Sequence, residues 1–143
     1  MRHSNVPLSG RISFLVLLMC LCAVLLVGCG DKKENIIYVG QSDNWKAILT
    51  AVHTPGTDRE QQILRLSYKS ADIDSVYNVR YQMSGLTQEV NGKEDNMNNK
   101  SGIVSRMECT ACKLTDENQA FTVTVEWSPN RKETFPLTFI RKE

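Results

Sequence analysis

The chain has 143 residues, 41% hydrophobic and 23% charged, with 17 lysines and arginines against 16 aspartates and glutamates. That length holds one domain, so a multidomain enzyme does not fit. Near-neutral charge with both signs interspersed argues against a nucleic-acid partner, whose binder needs a cationic surplus to displace counterions from phosphates. The averages hide a division, because 18 of the apolar residues lie in residues 1–28, leaving 15 basic against 16 acidic residues outside that segment.

Residues 1–11 form a short basic stretch, and residues 12–27 an apolar run interrupted only by Ser13. This is the layout of a secretory signal. The run is shorter than the ~20 residues that cross a hydrocarbon core comfortably, which disfavours a permanent transmembrane helix. Its end, Leu26-Val27-Gly28-Cys29, resembles the lipobox of bacterial lipoprotein signal peptides. Cys20 and Cys22 lack both the small residue before and the polar stretch after that mark Cys29. The resemblance implies removal of a signal helix, residues 1–28, by cleavage between Gly28 and Cys29, with a diacylglyceryl thioether on the Cys29 sulfur. Residues 29–35 then read as a lipidated polar tether. The implied location is the extracytoplasmic face of a cell membrane, lipid-anchored, where disulfides persist.

In residues 36–143 period-two alternation recurs and helical periodicity does not. Residues 36–39 and 45–52 are apolar stretches separated by Gly40-Gln41-Ser42-Asp43-Asn44, and Thr54-Pro55-Gly56-Thr57-Asp58 closes the second. Leu64, Leu66 and Tyr68 alternate with polar residues, as do Tyr77, Val79, Tyr81 and Met83. Residues 88–106, with Asn91-Gly92 and a run of charges and amides, break the pattern and read as a hairpin turn or polar loop. Phe121, Val123, Val125 and Trp127 make the clearest half-buried strand; Ser128-Pro129-Asn130 turns it into a second strand through Phe135, Leu137 and Phe139. Pro136 cannot donate to a ladder, so this last strand is expected at an edge or with that position toward solvent. Strands of this spacing predict an all-β, antiparallel β-sandwich of seven or eight strands, a partly open barrel being the alternative.

Cys109-Thr110-Ala111-Cys112 is the one thiol pair beyond Cys29. Its spacing suits a structural disulfide, a dithiol redox motif or half a metal site. Redox chemistry wants a helix N-terminus at the first cysteine, and zinc wants two further ligands; the flanking residues suggest neither, and a disulfide pinning a bend is the preferred reading. His53 lacks a neighbouring nucleophile or carboxylate partner in sequence, and no Gly-x-Ser-x-Gly elbow is present, so no catalytic residue is assigned. Asp95-Asn96-Met97-Asn98-Asn99 looks like a calcium loop but has Lys100 and Arg106 where the loop needs glycine and glutamate, and is read as solvated. No metal or cofactor is expected. Trp45, Trp127, Tyr77 and Tyr81 could form a binding patch, but their alternation assigns them to the core.

Taken with the lipobox, Ser42-Asp43-Asn44-Trp45-Lys46, the Leu64-to-Tyr68 strand, and Val125-Glu126-Trp127 followed by Glu133-Thr134-Phe135, the chain resembles small surface lipoproteins of Gram-positive bacilli. That resemblance implies an immunoglobulin-like domain and carries no catalytic residues. The expectation is a non-enzymatic, membrane-anchored envelope module that binds an envelope protein or small ligand through loops such as residues 88–106, and no nucleic acid. The alternative is a thiol-active envelope protein using Cys109 and Cys112.

Overall fold

The computed structural model describes residues 33–85, 89–98, 100 and 102–143. The expected signal segment, the Gly28–Cys29 cleavage point, Cys29 and residues 30–32 of the tether lie outside the described residues.

Eight antiparallel strands follow in chain order: β1 (Glu34–Gln41), β2 (Trp45–His53), β3 (Arg59–Tyr68), β4 (Tyr77–Ser84), β5 (Val90–Asn96), β6 (Ile103–Thr110), β7 (Phe121–Trp127) and β8 (Arg131–Lys142). A 3-10 turn, Ile73–Ser75, precedes β4. The all-β reading therefore holds. The strands form one sheet in the order β5-β4-β7-β8-β1-β2-β3-β6, curled until it is nearly a closed barrel. The short connection between β5 and β6 joins the two ends of that order.

The corner of the curl is β8. Residues Arg131 to Leu137 pair with β7, while Thr138, Phe139, Arg141 and Lys142 pair with β1. Skipping Ile140 makes a bulge opposite Ile37 and Tyr38, which turns the strand and leaves Ile140 exposed. Pro136 is thus in an interior strand rather than at an edge. It stands outside the β1 pairing, opposite Thr122 of β7, and is solvent-exposed, so β1 asks no hydrogen bond of it. Gly40 is where β1 passes β8 most tightly: a Cβ there would come within 2.2 Å of the Pro136 carbonyl oxygen and 2.7 Å of Leu137 Cδ2.

Alternation puts one face of every long strand inside. Tyr38, Leu49, Leu64 and Leu66 from one half meet Val79, Met83, Phe121, Val123 and Val125 from the other, all at most 2% exposed. Tyr38 makes edge-to-face contacts with Phe121 at 4.9 Å and Phe139 at 5.8 Å between ring centroids. Burial pushes the Tyr38 phenol pKa up, and its hydroxyl donates to the Asp116 carbonyl. Trp45 and Trp127 are core residues, as their alternation predicts, whereas Tyr77, at the start of β4, is 47% exposed.

Two boundaries differ from the sequence reading. β1 begins at Glu34, inside the expected tether, because Glu34 pairs with His53 and Asn35 exchanges backbone hydrogen bonds with Glu143. Within the expected loop 88–106, residues 90–96 form β5 and residues 103–106 begin β6, and Asn91-Gly92 lies within β5 instead of at a turn. β5 pairs only with β4 and has a largely solvated surface, so it needs no apolar alternation.

Gly40→Ala is expected to destabilise the domain by about 1–3 kcal/mol, because a methyl must displace backbone rather than a mobile side chain. Thermal unfolding checks this, and an unchanged midpoint would contradict the tight β1–β8 passage.

Candidate functional site

On the outer face of the half-sheet β5-β4-β7-β8 the register aligns four charged side chains directly across the strands. Lys93 opposes Arg80, Arg80 opposes Glu126, and Glu126 opposes Lys132. The row thus reads plus, plus, minus, plus. Lys132 pairs with Glu126 at 2.9 Å and Lys93 with Asp95 at 2.8 Å. Hydrogen bonding from Lys132, its charge and that of Arg80 hold the Glu126 carboxyl below its usual pKa, and Lys93 does the same for Asp95. Arg80 makes no ion pair or side-chain hydrogen bond among the described residues. It faces Lys93, a like-charge cross-strand pair, which disfavours the sheet.

Two residues further along the strands, about 6.8 Å away, a second row carries only neutral polar groups: Asn91 opposes Gln82, Gln82 opposes Thr124, and Thr124 opposes Thr134, whose hydroxyl lies 3.0 Å from that of Thr124. Apart from Thr134, the residues of the two rows line adjoining hollows of about 510 and 420 Å³, which share Arg80, Lys93 and Glu126. The larger hollow extends over the β7–β8 hairpin to Asn78, Ser128, Asn130 and Arg131. Asn130, with φ 50°, supplies the left-handed residue this three-residue loop needs, and Asn78 Nδ2 donates to Ser128 Oγ at 3.3 Å.

The same end of the domain is tied by Glu133. Odd-numbered residues of β8 face inward, so Glu133 sits above Phe135 and reaches the β1–β2 turn. Its carboxylate accepts from Ser42 Oγ at 2.5 Å, Asn44 Nδ2 at 2.5 Å and the Asn44 backbone N–H at 3.1 Å. Burial works to raise its pKa, but the hydrogen bonds from Asn44 and Ser42, with the Arg131 charge, outweigh it and hold Glu133 below the usual carboxylate range. Beneath lie Trp45, Tyr68 and Trp127 in mutual edge contacts of 5.3 to 6.4 Å, with the Arg131 guanidinium 5.1 Å above the Trp127 ring.

The opposite end holds the cysteines. Cys109 and Cys112 are disulfide-bonded, their Cα atoms 5.9 Å apart, at the end of edge strand β6, where Ala111 takes φ 56°. No helix opens there, so the helix-terminus setting of a dithiol redox motif is missing. Cys109 borders a hollow of about 240 Å³ together with Lys33, Arg59 and Glu60. Glu60, only 2% exposed, accepts from Gln62 Nε2 at 2.6 Å, Thr115 Oγ at 2.7 Å and the Thr115 N–H at 2.8 Å. It thereby fastens the segment that leads from β6 to β7.

His53 ends β2 with Nδ1 3.3 Å from the Arg59 carbonyl, and no nucleophile is hydrogen-bonded to it among the described residues. The oxygen-rich stretch after Lys93 is divided: Asp95 and Asn96 belong to β5, while Met97 is fully buried in the core. Among the described residues no group of three His, Cys, Asp or Glu side chains could hold a metal ion.

The concave polar surface lies on strand faces and the β7–β8 hairpin, and residues 88–106, expected to offer binding loops, contribute to it through β5. Lys93 and Asn91 do fall in that segment, but as members of β5. Arg80, Glu126 and Lys132 were legible only as the polar side of alternating strands, since their alignment requires the cross-strand register. Comparison with known proteins returns no match: no family model fits the chain, and no curated protein or solved structure is similar enough to count as a relative.

The Glu133 cluster predicts an acid limb in stability. Its folded pKa is depressed, so its contribution is fully present above the unfolded carboxyl value of about 4.3 and is lost as pH falls through the lower folded value. Glu133→Gln should cost about 1–2 kcal/mol at neutral pH, and the gap from wild type should close toward acid pH. Denaturant titrations between neutral and acid pH measure both curves; parallel curves would refute the assignment.

Proposed function

We propose that this chain is a non-enzymatic binding module, lipid-anchored through Cys29 on the extracytoplasmic face of a cell membrane. The observation that carries the reading is spacing. The lipobox-like Leu26-Val27-Gly28-Cys29 is followed by only residues 30–33 before β1 opens a domain whose buried core draws on residues 36–137. A strand framework with a concave polar outer face supports binding, since it holds side chains at fixed register for a ligand. Residues 30–33 form the spacer between anchor and domain.

In bacterial cells given a clickable fatty-acid analogue, the wild-type chain should carry label and Cys29→Ala should carry none. Equal labelling of the variant would overturn the anchor.

A second reading, a thiol-active envelope protein, is favoured by one observation: Cys109 borders a hollow whose lining includes the cations Lys33 and Arg59 beside the carboxylates Glu60 and Glu108. On this reading the disulfide equilibrates with glutathione and the reduced chain reduces insulin. A disulfide that glutathione leaves intact, with an inert dithiol form, would eliminate it.

A further inference from the structure

We propose that the groove over β5, β4 and β7 binds an acidic saccharide, its carboxylate or phosphate group bridging Arg80 and Lys93 and its hydroxyls lying over the neutral row. The proposal deepens the binding-module reading and rests on it.

Three observations converge. The first is electrostatic: Arg80 and Lys93 are held opposite each other by the β4–β5 register, and because Asp95 pairs with Lys93 and Glu126 with Lys132, Arg80 is the cation of the row left without an ion pair among the described residues. Like charges directly opposed destabilise a sheet, and an anion between them turns that cost into paired charge-assisted hydrogen bonds. The second is the neighbouring row of amides and hydroxyls. Asn91, Gln82 and Thr124 present donors and acceptors without charge, which suits a hydroxylated body rather than a second acid group or an alkyl chain. The third is size. The two adjoining hollows, about 510 and 420 Å³, exceed the needs of an inorganic ion and fall within the range of small-molecule sites.

Within the domain, the groove lies at the end of β1 remote from its first residue, Glu34. The tether joins at Glu34, and β1 runs eight residues, about 24 Å, to Gln41. The Glu133 hydrogen bonds and the Trp45–Trp127 contact place the β7–β8 hairpin, and with it the larger hollow, at the Gln41 end.

The test uses the full-length chain in a non-ionic detergent, with tryptophan fluorescence as readout, because Trp127 borders the groove. Tetragalacturonate should bind, more weakly as salt is raised. The uncharged tetrasaccharide cellotetraose should bind at least about tenfold more weakly, and Arg80→Gln/Lys93→Gln should weaken tetragalacturonate at least about tenfold, the equivalent of one charge-assisted contact. The double variant should keep a cooperative thermal transition, because both side chains are exposed on the outer face of the sheet; that separates loss of the site from loss of the fold. No tetragalacturonate binding at millimolar concentration, equal affinity for cellotetraose, equal affinity for a hexaglutamate peptide, or binding only to phosphatidylglycerol vesicles would each overturn the proposal. Cys29→Ala should keep the same affinity, so failure of the anchor and failure of the groove read out separately.

Discussion

A strand hydrogen-bonded along its first part to one neighbour and along its remainder to another cannot lie in a flat sheet. β8 is that strand, passing from β7 to β1 across the bulge at Ile140, and it turns the half-sheet carrying β4, β5 and β7 to face the half carrying β1, β2, β3 and β6. The core follows from this turn: Phe121 of β7 reaches Tyr38 of β1 only because β8 brings the two strands to opposite walls. The tight passage at Gly40, where only hydrogen fits beside the Pro136 carbonyl, is the local condition for the turn.

The two ends of the curled sheet are finished by the same device. Glu133 and Glu60 each accept hydrogen bonds from neutral donors, including a backbone N–H of the connection they hold. Neutral donors avoid the desolvation of a second charge that a buried ion pair demands, yet they are directional enough to fix where a connection lies. With both ends tied down, the outer faces of the strands are left as the rigid surface, and the cationic row is part of it.

Alternation made much of this legible. The run from Phe121 to Trp127 announces both its strand and its inward face, and the turn after it announces the hairpin with β8. β5 was not legible, because a solvated strand such as Val-Asn-Gly-Lys-Glu-Asp-Asn carries the composition of a loop and is recognised only by its partner. Glu60 and Gln62 continue the inward face of Leu64 and Leu66, but their polarity conceals this until Thr115 is brought beside them from 53 or more residues away. The groove failed to appear for the same reason. Arg80, Lys93, Glu126 and Lys132 come from four strands, and which residue faces which is a property of register rather than of any one segment.

The pairing of the first strand with the last has a consequence for how the protein is made. Ile36 to Val39 find their β8 partners only at Thr138 to Lys142, and Asn35 bonds Glu143. During synthesis, at about 5–20 residues per second, β1 and β2 form a hairpin early, but the wall that completes their core, β8, is made after the seven other described strands. Pairings of such long sequence separation are slow to form. The core therefore stays unfinished until β8 has joined β1.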